Sequence, residues 1–145
     1  MSENDILPRM IEDHNKIEKL MDEFEGDIDK EFKIMKKSFT KFEWKLEKHI
    51  FVEEKVIFTN YNPEDVTEGY RMLPELTKQH NFILNQLSNW RKEIVNKRKI
   101  DGFFKFNKVL VNHKIFEENE VYPRLDQTLN ESDKKLIIDR LNEIQ

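Results

Sequence analysis

Apolar residues recur along this chain at intervals of three and four rather than in alternation, and only three glycines and four prolines interrupt them. That is the helical period, so the chain reads as all-α, with no obvious place for strands. A first helix is predicted to open near Pro8, a residue suited to a first turn, and to carry Leu7, Met10, His14, Ile17, Met21 and Phe24 on one face before Gly26. A second runs from about Ile28 to Phe58, with Phe32, Met35, Phe39, Phe42, Leu46, His49, Glu53 and Val56 in register. The turn-forming stretch NYNPEDVTEG follows. A third helix starts near Pro74 and aligns Leu76, His80, Leu84, Leu87, Trp90 or Arg91, and Ile94 until charged KRKIDG ends it. The fourth, from about Gly102, aligns Phe106, Val109 or Leu110, His113, Glu117 and Val121, then meets Pro123. Ser132 is the expected N-cap of a short last helix bearing Leu136, Ile137 and Leu141.

Four main helices with short connections predict an antiparallel up-down-up-down four-helix bundle over about residues 8–122. A short extra C-terminal helix, about 132–144, is expected across its side or end. All 145 residues are expected to form one domain.

Composition removes several chemistries. The chain has no cysteine, which excludes thiolate metal sites, disulfides and cysteine nucleophiles and fits a reducing compartment. The opening MSENDILPRM has no basic region leading into an apolar stretch, and no apolar run approaches the roughly 20 residues that span a bilayer. A cytoplasmic location without membrane contact is therefore expected. Net charge is −4, from 25 basic and 29 acidic residues dispersed along the chain, so no nucleic-acid partner is expected. The densest basic stretch, RKEIVNKRK, reads as a solvated helix end rather than a docking patch.

What changes the picture is histidine. All four, His14, His49, His80 and His113, fall within the apolar stripe of a different main helix. One such residue is more often a hydrogen-bonded core histidine than a ligand, but four of four is another matter. At 100° per residue, Glu53 and Glu117 lie one turn beyond His49 and His113 on nearly the same face, so both carboxylates should point inward, where they need partners. The pattern also repeats: HNKI at His14 matches HNFI at His80, and HIFVEEKVIF at His49 matches HKIFEENEVY at His113. Two similar helix pairs about a pseudo-twofold axis would bring four imidazoles and two carboxylates to one level of the core, as in a binuclear metal site. This mixed set points to a pair of irons, with manganese or zinc as substitutes.

The ordered pattern of one histidine, then H-x-x-x-E, one histidine, then H-x-x-x-E, each on its own helix, resembles the hemerythrin-like (HHE cation-binding) family of non-heme di-iron four-helix bundles. The resemblance covers roughly residues 8 to 125. It implies that His14 and His49 bind one iron and His80 and His113 the other, that Glu53 and Glu117 bridge them, and that each iron keeps a position for oxo, water or a small ligand. Oxygen-carrying members place another histidine four residues after the third-helix one, where this chain has Leu84. The pattern looks more like the di-iron proteins that repair iron–sulfur clusters under stress and the iron-sensing hemerythrin-like domain of an F-box protein. The oxygen carriers use an acid five residues after the fourth-helix histidine, which would select Glu118. The 40° offset of Glu117, against 140°, and its match to the Glu53 spacing favour Glu117. Glu54 and Glu118 are expected to face solvent, with a role in supporting the metal-binding side chains as the lesser alternative.

Phe24, Phe42, Ile50, Leu84, Leu87 and Phe116 read as ordinary core, and a pocket among them for dioxygen or nitric oxide is the weaker reading. Whether Tyr70 or Tyr122 approaches the metals is not decided by sequence. The Glu-x-x-His of ferritin-like oxidases is absent, since the residues three before the histidines are Ile11, Leu46, Thr77 and Leu110. There is no H-E-x-x-H, G-x-x-x-x-G-K or G-x-S-x-G. Two functions remain in view. One is a di-iron protein that binds or senses dioxygen, nitric oxide or iron and redox state, with such a diatomic as its partner. The other is a di-iron redox enzyme or iron-donating repair protein, which would need a protein redox partner. A metal-free helical interaction module is the bland alternative. The oligomeric state is not legible.

Overall fold

In a computed structural model, residues 4–60 and 66–144 are described, residues 60 and 66–71 by their backbone alone. Every regular element among them is helical: α1 (Ile6–Asp27), α2 (Phe32–Val52), α3 (Val66–Val95), α4 (Phe103–Phe116), α5 (Tyr122–Thr128) and α6 (Glu131–Ile144). α2 continues into a π-helical turn, Glu53–Ile57, and a short 3₁₀ turn, Phe58–Asn60. A second π turn, Glu117–Val121, joins α4 to α5 so that the helix runs on past Pro123. Proline is tolerated there because it falls in the first turn of α5, where the N–H it lacks has little to bond. The chain thus forms four long rods and a shorter fifth helix, the all-α arrangement predicted.

Several boundaries differ from the sequence reading: α2 begins at Phe32 and not near Ile28. α3 begins at Val66, leaving Pro74 inside it rather than at its start. Met72, Leu73 and Leu76 pack into the core on either side of Pro74, and that packing outweighs the backbone bond the proline removes. The predicted turn NYNPEDVTEG lies partly outside the described residues, and the Tyr70 side chain wholly so. The last helix is capped by Asn130, whose Oδ1 accepts the Asp133 N–H at 2.8 Å, and not by Ser132. The α3–α4 connection turns on Gly102, whose φ of 82° suits a residue without Cβ.

The core comes in two parts. Ile17, Met21, Phe24, Phe42, Leu46, Ile83, Leu87, Trp90 and Phe106 fill one end of the bundle. Ile6, Met10, Val52, Val56, Leu76, Val121, Tyr122 and Leu125 fill the other, with Ile137 and Leu141 of α6 packed across it. The open choices of register resolve to Trp90 and Leu110, which are buried, while Arg91 is exposed. Along each rod a histidine falls between the two parts, as His14 does between Met10 and Ile17. A polar layer is thereby clamped between two apolar ones. No helix among the described residues is long and apolar enough to cross a membrane.

Candidate metal centre

The polar layer holds His14 from α1, His49 from α2, His80 from α3 and His113 from α4, with Glu53 and Glu117 each opening a π turn. All six side chains are buried, the two glutamates completely. In a π turn the backbone bond spans five residues, and here the N–H of Phe58 reaches the carbonyl of Glu53 and that of Tyr122 reaches Glu117. Each bulge keeps its glutamate one α-helical turn from the histidine before it and re-registers the residues that follow.

The four Nδ1 atoms are all engaged from outside the layer. His49 donates from Nδ1 to Asp13 Oδ2 at 2.9 Å, and His113 pairs in the same way with Gln79 Oε1. His80 meets Glu54 Oε1 at 3.0 Å and His14 meets Glu118 Oε2 at 2.6 Å. These four partners obey the repeat: Asp13 and Gln79 directly precede His14 and His80, while Glu54 and Glu118 directly follow Glu53 and Glu117. The expectation that Glu54 and Glu118 face solvent is therefore corrected. A side chain 140° round from the core-facing histidine points at the flank of its helix, and in a bundle the flank is where the next helix lies. Asp13 and Gln79 had not been singled out, although comparing DHN with QHN in the repeat would have found them.

With Nδ1 spoken for, Nε2 of every ring turns inward. His49 Nε2 lies 2.8 Å from Glu53 Oε1, His113 Nε2 and His14 Nε2 each lie 3.1 Å from Glu117 Oε1, and His80 Nε2 lies 3.6 Å from Glu53 Oε1. Donor atoms of Glu53, His80, His113 and Glu117 fall within 4.8 Å of one another, as do those of His14, His49 and Glu117. The two sets share Glu117. Among the described residues, Nε2 of His49, His80 and His113, Oε1 of Glu53 and Oε2 of Glu117 have no hydrogen-bond partner. The close approach of His49 to Glu53 therefore needs a cation between them, a proton or a metal ion. Buried acceptors aimed at one another in this way are costly unless a cation lies between them.

The electrostatics say the same in terms of protons. Burial disfavours charge on His49, but Glu53 and Asp13 outweigh it and lift its pKa to about 9. Burial is likewise overcome at His80, raised by Glu53 and Glu54. At His113 burial prevails over Glu53, with help from the neighbouring histidines, and brings the pKa down to about 3. His14 is lowered by burial and by His49. Glu53 is held well below the ordinary carboxylate range because His49 and His80 outweigh its burial. Carboxylates that draw a proton onto an imidazole draw a metal cation equally well.

Tyr122 is wholly buried and donates its hydroxyl to Glu53 Oε2 at 2.9 Å, which answers for this tyrosine the question left open by sequence. Its twofold counterpart is Phe58, which has no such donor. A cavity of about 170 Å³ opens between α1 and α4 and reaches His14, His49 and His113, with Ile17, Met21 and Leu110 in its walls. None of the six apolar residues weighed from sequence lines it. Phe24, Phe42, Ile50 and Leu87 are buried core, Leu84 and Phe116 half-buried.

Comparison with curated proteins and with solved structures gave no match. The model of one protein family does match, the hemerythrin HHE cation binding domain, over residues 5–140, nearly the whole chain. The bundle, its inward-facing His/Glu layer and this match agree: the chain belongs to the hemerythrin HHE cation-binding family.

Proposed function

We propose that this chain is a single-domain, non-heme di-iron protein that binds or senses a small diatomic, dioxygen or nitric oxide, or the redox state of its iron. His14 and His49 would hold one metal and His80 and His113 the other, with Glu117 and Glu53 available to both. The observation that carries this reading is the set of buried, unpartnered Nε2 and carboxylate oxygen atoms facing one another at the centre of the layer. Imidazole and carboxylate together suit iron, and manganese or zinc fit the same donors less selectively. Iron bound here supplies a redox couple and an exchangeable coordination position. The protein's own groups do the rest: the Nδ1 partners fix which nitrogen faces the metal, and the two apolar cores exclude bulk water.

The cavity favours ligand binding as the use of this centre, because it leads from the surface to the His14 and His49 pair and has room for a small molecule. A reading as a di-iron redox enzyme, or as a cytoplasmic stress protein donating iron for cluster repair, is the alternative. Protein purified with iron supplied should contain nearly two metal ions per chain and change its visible spectrum with oxygen or nitric oxide, without turnover. Catalytic reduction of peroxide or nitric oxide would transfer the assignment to the enzyme. Metal well below one ion per chain would sink both.

A further inference from the structure

The cavity between α1 and α4 has an asymmetry that the repeat makes legible. Its lining includes Glu18 and Lys114, which form an ion pair across the gap, and Asp22 one turn along α1 from Glu18. Glu18 lies four residues after His14 and Lys114 one residue after His113. The corresponding positions around His80 and His49 are Leu84, half-buried against the apolar core, and Ile50, buried in it. On that opposite side Glu43 and Glu47 are tied down by Arg91 on the outer surface, at 2.7 Å each. The bundle is sealed with apolar residues on one side and left open, with charges around the opening, on the other. Lys114 and Glu18 are 28% and 47% exposed, so they stand at the rim, whereas His14, His49 and His113 at the floor are buried.

We propose that Glu18, Asp22 and Lys114 act as a charge filter, determining that neutral small molecules reach the centre faster than small anions. The inference rests on the di-iron reading of the site and adds the ligand class. Two carboxylates and one ammonium leave the rim with one net negative charge, and Glu18 neutralises the cation that would otherwise attract an anion toward the metals. A passage with apolar walls focuses such a charge onto whatever enters, while a neutral diatomic is indifferent to it. Lys114 sets the magnitude and Glu18 with Asp22 the sign.

The test compares association rates of azide, a small anion, and nitric oxide, a neutral molecule, with the iron-loaded full chain in stopped flow at low ionic strength. In the double variant Glu18→Gln, Asp22→Asn the azide rate should rise about tenfold and the nitric oxide rate stay within about twofold. In Lys114→Gln the azide rate should fall at least threefold, again with little change for nitric oxide. A remote pair of the same charge change, Asp139→Asn with Glu143→Gln on the exposed face of α6, should leave both rates near wild type, which separates the rim from the net charge of the chain. Added salt should narrow the differences for azide alone. Iron content of each variant is measured alongside, since a merely structural role would change metal loading or both ligands together. Azide and nitric oxide rates that move in parallel, or that ignore the series, overturn the filter while leaving the site. A loaded wild-type protein that takes up neither ligand overturns the ligand-binding reading and the filter with it.

Discussion

At the scale of single residues, the centre is governed by which imidazole nitrogen is free. Asp13, Gln79, Glu54 and Glu118 each occupy an Nδ1, so only Nε2 is left to face inward. The pH behaviour follows with a definite sign. His49, raised to about 9, favours the metal-free fold most below its unfolded value near 6.5 and loses that contribution as pH climbs through 9. His113, depressed to about 3, does the opposite, supporting the fold above 6.5 and losing its contribution as pH falls toward 3. At neutral pH the metal-free protein therefore holds a proton on His49, His80 is shifted in the same direction by Glu53 and Glu54, and metal must displace what they hold. Adding ferrous iron anaerobically to metal-free protein at pH 7.5 should release at least about one proton per chain, read by an indicator dye in weak buffer. Uptake of metal with no proton release would contradict this assignment. The two adjacent glutamates of α4 should also separate. Glu117→Ala removes a group shared by both donor sets and should cut metal content to one ion per chain or less. Glu118→Ala removes only the partner of His14 Nδ1, so it should weaken affinity roughly 10- to 100-fold against a competing chelator while full loading is still reached in excess iron.

At the scale of elements, most of the fold was legible, because helical periodicity survives wherever one face of a rod is buried. The register residues of α1 and α2, from Met10 to Phe24 and from Met35 to Val56, are buried as the spacing required. What could not be read were features that depend on a neighbour. The π turns are one: EEKVI and EENEV carry no local signal that sets them apart from an α-helix, and only the need to keep Glu53 and Glu117 inward while packing Ile57 and Tyr122 requires the extra residue. Pro74 is another, taken for a helix start on local grounds and overruled by packing. A third is the cap of α1. Asp5 makes no side-chain cap of its own, and the N–H groups of Ile6 and Leu7 are instead bonded by Asp126 of α5, at 2.6 and 3.0 Å, from 120 residues away. Asp126→Ala should cost about 1 kcal/mol, the usual worth of a helix cap, and lower the melting temperature by roughly 2–4 °C. Metal content should be unchanged, because Asp126 touches none of the six central residues. Equal melting of variant and wild type would show that solvent caps α1 as well as Asp126 does.

At the scale of the molecule, the six central residues share one buried layer, and the repeat did not display how asymmetric that layer is. Similarity between halves is what a repeat displays, so HNKI with HNFI, and HIFVEE with HKIFEE, led to the convergence of four histidines and two glutamates. The differences between halves, Tyr122 against Phe58, Asp13 against Gln79 and Glu18 against Leu84, carry meaning only once the partners are known. The layer also sets the stability of the whole. It places Glu53, Glu117 and four imidazoles, with five of their polar atoms unpartnered, between two apolar cores that can neither hydrate nor relax around them. Such an arrangement is a liability in the empty protein and becomes a source of stability when cations neutralise it. If metal binds the folded chain and not the unfolded one, a site at a thousand times its dissociation constant adds about 4 kcal/mol. For a chain of this length that corresponds to roughly 10 °C per site. Iron-loaded protein should therefore melt at least that far above the same protein after chelation, and the gap should close as pH is lowered, because protons compete for Nε2 of the four histidines. Replacing His49 and His113 together by leucine should abolish the melting response to iron and also lower the melting point of metal-free protein, since Asp13 and Glu53 would lose the protonated imidazole that lies between them. If chelation leaves the melting curve where it was, and the double leucine variant keeps the wild-type response to iron, the polar layer is a self-sufficient hydrogen-bonded core and not a centre built to be completed by metal.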